Sequence, residues 1–224
     1  MPSVIFIGGG PPPVFISAGA VASDPTTVTP GLPAGYQAND IFLYVIESAS
    51  NTINTAPSGY TQVTNSPQAN GANAATDRLA VYWKRATGSE SAPASEGVDH
   101  TIAVILCIRG CPTTGNPWDV TAGDTAGSGT GATCPSVTTT VPNCLVINIF
   151  GHGIDAAGAQ VTGYTNANLA NLTEVVDDST TSGNGGGFGI STGLKASAGA
   201  TGTTTATLAT GNTQVRMTIA LKPA

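Results

Sequence analysis

Only two histidines, His100 and His152, offer a base for nucleophilic catalysis. His100 follows Asp99 at the start of a strand-like run, and His152 stands in Gly151-His152-Gly153 with Asp155 close by. Each reads as a solvated turn histidine at a strand edge. Neither Gly-x-Ser-x-Gly nor His-Glu-x-x-His occurs. Paired carboxylates could do acid–base work on a sugar, and Glu90 with Glu96 or Asp177 with Asp178 are the candidates. Both pairs lie in Ser/Gly-rich segments without the aromatic surroundings that raise a carboxyl pKa, so they read as solvated loop charge. Asp119 and Asp124, with Thr121 and Thr125, offer oxygen atoms to Ca²⁺, but their spacing fits no EF-hand loop.

The remaining chemistry-bearing residues point to packing and contact. The glycine-rich run Gly183 to Gly189 opens no helix, so a phosphate cradle lacks its context and the run reads as a long β-turn or flexible tip carrying Phe188. Trp83 fits a strand alternation and belongs to a core, whereas Trp118 follows Pro117 in a long polar link and is expected to be exposed. Asn171-Leu172-Thr173 is a formal glycosylation acceptor, meaningful only on a secreted eukaryotic chain. Cys107, Cys111, Cys134 and Cys144 form no CxxC or Cys/His cluster, and free buried thiols are expected. The sequence therefore assigns no catalytic residue, no metal ligand and no cofactor.

Composition narrows the class further. The 224 residues include 7 Lys and Arg against 13 Asp and Glu, a net charge of −6, and only 9% of residues are charged. The cations are scattered, which argues against nucleic-acid binding. No apolar run approaches the roughly 20 residues of a membrane helix, so no membrane partner is expected. The first residues lack a basic n-region, and their apolar stretch is broken by Gly8-Gly9-Gly10 and Pro11-Pro12-Pro13, which argues against Sec export. With 29 glycines, 15 prolines and abundant Thr, Ser, Ala and Val, the chain reads as turn-dense β structure.

Positioning elements follow from periodicity. Residues 1–35 form an N-terminal arm: the apolar pieces Val4, Ile5, Phe6, Ile7 and Val14, Phe15, Ile16 are separated by Gly and Pro and cannot make a core alone. Residues 36–224 read as a single domain without helical period. Its strand candidates are 40–47, 60–63, 78–86, 100–109, 144–151, 172–176, 187–195 and 214–222. Residues 36–110 and 143–224 carry the same landmarks in the same order: an apolar strand, a Gly-Tyr-Thr turn (Gly59, Gly163), a strand ending in lysine (Lys84, Lys195) and a closing alternating strand. Two such four-strand halves bury a face by packing together, which predicts an all-β, jelly-roll-like antiparallel β-sandwich of about eight strands. The link 111–142, rich in Gly, Thr and Pro, is expected to run over the surface as a contact loop.

Three segments also carry a resemblance. They are Pro30-Gly31 leading to the Asp40-led strand Ile41 to Val45, then Pro57-Ser58-Gly59-Tyr60-Thr61, then Tyr82-Trp83-Lys84-Arg85-Ala86-Thr87-Gly88-Ser89-Glu90. Ile108-Arg109-Gly110 and Pro117-Trp118-Asp119 follow. Together, over residues 28–222, this ordered set resembles a β-sandwich domain widespread among tailed-bacteriophage virion proteins of the capsid decoration, or cement, type. The resemblance implies a non-enzymatic virion structural protein, made in the host cytoplasm; few surface charges and an apolar arm able to run along a neighbour favour a place on the outer capsid surface over the tail. Implied partners are the major capsid protein, neighbouring decoration subunits and two further copies in a homotrimer. The contacts fall to Val4, Ile5, Phe6, Ile7, Val14, Phe15, Ile16, Trp118 and Phe188. The alternative is a tail or fibre-tip adhesin that binds a glycan through Trp118 and the tip near Phe188.

Overall fold

The computed structural model describes residues 10–50, 55–96 and 98–224. In chain order its strands are β1 (Val14–Ala18), β2 (Ala22–Ser23), β3 (Thr27–Val28), β4 (Ile41–Ala49), β5 (Thr61–Gln62), β6 (Gln68–Ala69), β7 (Asp77–Arg85), β8 (Ser95–Glu96) and β9 (Thr101–Arg109). They continue as β10 (Trp118–Cys134), β11 (Thr138–Thr139), β12 (Cys144–His152), β13 (Val161–Thr165), β14 (Ala170–Thr180), β15 (Gly186–Lys195), β16 (Gly199–Ala200) and β17 (Thr204–Leu221). No helix occurs among the described residues.

Two large antiparallel sheets hold most of these strands. The first runs β1-β9-β4-β7-β5, with β2 also on β9 and β6 on β7; the second runs β10-β17-β12-β15-β14, with β13 on β17. The three central strands therefore follow the same order in both sheets, β9-β4-β7 and β17-β12-β15. In register, Val45 stands beside both Val81 and Val104, and Ile149 beside both Ile190 and Met217.

Alternation decides which face each side chain takes. Ile41, Leu43 and Val45 of β4, with Leu79, Val81, Val104 and Leu106, meet Leu145, Ile147, Ile149, Phe188, Ile190, Met217 and Ile219 in one buried cluster between the sheets. The other faces are covered too, so β4 and β12 are buried at every position and their sequences read as nearly unbroken apolar runs. Over the first sheet, Val28, Leu32, Tyr36 and Tyr60 close on Phe42, Tyr44, Ile46 and Ile105. Over the second, β10 and β17 form a long ribbon whose register shifts between Ala126 and Gly131. Beyond that irregularity the ribbon curls back, bringing Cys134 Sγ to 3.3 Å from the Ile149 carbonyl and packing Ala132 and Leu208 over Phe150.

The two Gly-Tyr-Thr segments do equivalent work, Gly59 in the turn before β5 and Gly163 at a register shift within β13. Gly59 and Gly163 take φ of +80° and +69°, a left-handed conformation that glycine adopts without a Cβ clash. Each glycine sets the next tyrosine edge-on to an aromatic of a central strand, Tyr60 to Tyr44 at 5.8 Å and Tyr164 to Phe150 at 5.7 Å.

One expectation is corrected. Much of the link 111–142 is not a surface loop: Trp118–Cys134 is a strand paired along its length with β17. Its Thr, Gly and Ala residues bury little on their own, and β17 supplies the ladder that holds them. The described part of the arm lies against the main domain, where Val14–Ala18 pairs with Leu106–Arg109 as an edge strand of the first sheet.

Candidate functional site

The residues expected to make contacts are distributed unevenly. Val4, Ile5, Phe6 and Ile7 lie outside the described residues. Phe15 packs against the interior between the sheets and Ile16 against the outer layer of the first sheet. Val14 is 48% exposed, the large apolar side chain that stands out on the described surface. Beside it, Pro12, Pro13, Phe15, Leu145, Asn171 and Leu194 line a groove of about 310 Å³ where the edges of the two sheets meet.

Trp118 and Phe188 are interior residues, against expectation. Trp118 is 8% exposed and stacks edge-on against Trp83, ring centroids 5.5 Å apart. Phe188 is fully buried: in β15 it falls on the inward face with Ile190, and the glycines around it let the strand pass close to its neighbours. A partner reaches neither side chain while the chain is folded.

The titratable groups are also mostly satisfied or sealed. Asp40, which opens β4, accepts from Arg109 Nε at 2.9 Å and Nη2 at 2.7 Å, joining the start of β4 to the end of β9. Lys84 pairs with Glu90, and Arg216 Nε donates to Asp124 at 2.8 Å. Asp119 accepts from Thr140, and Asp177 accepts the backbone N–H groups of Gln160 and Val161. All four cysteines are free and buried, and burial pushes the thiols of Cys107 and Cys111 up to about 12.

Chemistry gathers at one place the sequence reading did not assemble. Glu47 continues the inward row of Ile41, Leu43 and Val45, Asp77 precedes Leu79 and Val81, and His100 precedes Ile102 and Val104. Because β9, β4 and β7 are neighbours, these three side chains converge at one end of the interior, each at most 1% exposed. One ligating atom from each lies within 4.8 Å of the others. Both histidines are buried, not solvated: His100 is 1% exposed, and His152 is fully buried, two residues after Phe150 and so on the opposite face of β12 from Ile147 and Ile149.

The second sheet faces this cluster with glycines. A Cβ on Gly186 would stand 2.5 Å from Glu47 Oε2, and one on Gly153 would stand 2.3 Å from Asp77 Oδ1. Thr213 donates its hydroxyl to Asp77 Oδ2 at 2.6 Å. His100 Nδ1 lies 3.2 Å from Asp99 Oδ2, and that oxygen is fixed in turn by the backbone and side-chain N–H groups of Asn184. His100 Nε2 lies 3.3 Å from Glu47 Oε1 without a hydrogen bond's alignment. Both Glu47 oxygens, Asp77 Oδ1 and His100 Nε2 have no hydrogen-bond partner among the described residues.

Burial sets the electrostatics of this group. It pushes the Glu47 carboxyl up to about 8, against the pull of His100, and lifts Asp77 to about 6, against its hydrogen bond from Thr213. Burial opposes a charge on His100, but Glu47 and Asp99 outweigh it and hold the imidazole above its ordinary pKa. His152 lacks such partners, and burial pushes it down to about 4. The signal for the cluster was the period-two alternation itself, which places residues 47, 77 and 100 on the inward face.

No protein-family profile matches the chain, and no curated protein or solved structure is detectably similar to it.

Proposed function

We propose that this chain is a structural virion protein of the tailed-phage decoration type, which binds the outer surface of a capsid lattice and fastens its major capsid subunits. Its finer architecture is a sandwich of two similar halves, each supplying one sheet, without the exchange of strands between sheets that a jelly-roll wrapping entails. The observation that carries the reading is the edge strand β1. Its outward backbone groups, the exposed Val14 and the adjoining groove make an apolar, uncharged docking edge at the seam of the two sheets. Contacts of that kind depend little on ionic strength, and repetition over a lattice multiplies their strength. Local threefold positions on such a lattice favour a homotrimer. The groups suited to acid–base chemistry are sealed from substrate, which supports a non-enzymatic role. The adhesin alternative rested on Trp118 and Phe188, and neither side chain is presented to a glycan.

The test is cosedimentation of the purified chain with undecorated heads of the phage that encodes it. Deleting residues 1–9 or substituting Val14→Asp is expected to abolish binding, with the melting temperature unchanged. Undiminished binding by both variants, or recovery of the protein only with tails, would overturn the reading.

A further inference from the structure

We propose that Glu47, Asp77 and His100 form a buried site for one divalent transition-metal ion of the Zn²⁺ class, which closes the polar end of the interior. Three groups brought together from three adjacent strands, each with ligating atoms inside a 4.8 Å span, can share a centre about 2.0–2.2 Å from each donor after small rotamer changes. A carboxylate-only cluster would suit Ca²⁺ or Mg²⁺, whereas the imidazole selects a transition ion.

The unpaired atoms point the same way. In a fully buried position, oxygen and nitrogen atoms without partners are costly, and nearly all such groups in folded proteins are satisfied. Here Glu47 Oε2 and Asp77 Oδ1 have no partner, and Glu47 Oε1 and His100 Nε2 meet each other only as a 3.3 Å ion pair without hydrogen-bond alignment; these four are the atoms an ion would take. Two Glu47 oxygens, one Asp77 oxygen and one imidazole nitrogen supply four donors.

The surrounding contacts are those of a built ligand set. Asp99 can accept from His100 Nδ1, which leaves Nε2 aimed inward as the nitrogen that ligates once an ion displaces its proton, and Asn184 holds Asp99 in place. Thr213 satisfies Asp77 Oδ2 and leaves Oδ1 free. Gly153 and Gly186 keep the opposite wall clear, since a Cβ at either would strike a ligand oxygen. The ligands are sealed, so the ion enters as the chain folds.

The full chain is unfolded in guanidinium with EDTA, desalted, and refolded with or without ZnCl₂, then weighed by native mass spectrometry and melted. One Zn²⁺ per chain is expected, with a rise in Tm of about 5–10 °C at a hundredfold excess over Kd. Co²⁺ in place of Zn²⁺ should give a visible d–d band. Glu47→Gln and His100→Gln, close in shape to the native side chains, should each lose the ion by about a hundredfold or more in affinity while still folding. Asp119→Asn, at a carboxylate paired with Thr140 elsewhere, should leave uptake unchanged. A folded wild-type chain that takes up no Zn²⁺ or Co²⁺ and melts identically with and without them would overturn the proposal, leaving a proton-sharing cluster; so would unchanged uptake by Glu47→Gln.

Discussion

Truncating Trp118 to alanine separates a packing role from a recognition role. The indole is 8% exposed, sits in the interior cluster between the sheets and meets Trp83 at 5.5 Å with the planes 86° apart. A buried indole removes roughly 200 Å² from water, which at about 25 cal/mol per Å² is about 5 kcal/mol as an upper bound. Measured losses for buried Trp→Ala changes run about 3–5 kcal/mol, and the edge-on aromatic pair accounts for about 1 kcal/mol of that. We therefore expect Trp118→Ala to cost about 4 kcal/mol, or about 8–16 °C in Tm for a chain of this size. Trp118→Phe should retain most of the stability. Urea unfolding followed by circular dichroism gives the loss directly, and a cycle with Trp83→Leu isolates the ring pair. A Trp118→Ala chain that melts within 2 °C of wild type, by the ~2–4 °C per kcal/mol scale, refutes the interior placement. Glycan binding lost at unchanged stability would return the residue to the surface role the sequence suggested.

Two further expectations concern groups the interior perturbs. The four buried thiols, three of them raised to about 11–12 by burial, should be silent to Ellman's reagent in the native chain and all titrate in guanidinium; rapid native labelling would show a thiol at the surface. Burial pushes Asp177 up to about 6, despite the N–H groups of Gln160 and Val161. An unfolded aspartate titrates near ~3.9, so between these values the folded chain holds a proton that the unfolded chain has lost. Its contribution to stability is then greatest below about pH 4 and declines as the pH rises to about 6. Asp177→Asn should remove that slope from urea unfolding curves taken across the window, and an unchanged slope would refute the shift.

What the sequence made legible was what large side chains enforce. The alternation in Leu79-Ala80-Val81-Tyr82 and the apolar runs at 41–46 and 102–108 identify β7, β4 and β9, because each buries bulky residues on a defined face. The strand Trp118–Cys134 was opaque for the opposite reason: Thr-Ala-Gly-Asp-Thr-Ala-Gly-Ser-Gly has no apolar period, and its strand state comes from the ladder with β17. The first half of β17 was missed in the same way. At the buried cluster, alternation and residue type gave conflicting advice. Period two carries Glu47, Asp77 and His100 inward, while charge argues for solvent. Resolving the conflict needs the opposing wall, and nothing local to residues 47, 77 or 100 reveals that glycines 153 and 186 face them.

That opposing wall also bears on how the two sheets keep their stacking. An apolar interface tolerates sliding, because one aliphatic contact replaces another at little cost. At the polar end no such exchange works: Glu47 and Asp77 fit only where the facing strands carry no Cβ, and Thr213 can satisfy Asp77 Oδ2 in only one alignment. Sliding β15 by one residue would set Gly187 in the place of Gly186 and turn Phe188 out of the interior, since each step reverses the face of every side chain. The cluster therefore pins the second sheet to the first along the strand direction, and an ion held there would stiffen a pin that packing already defines. In the proposed decoration role, where the same edge would be presented at many equivalent lattice positions, such a fixed register would be an advantage.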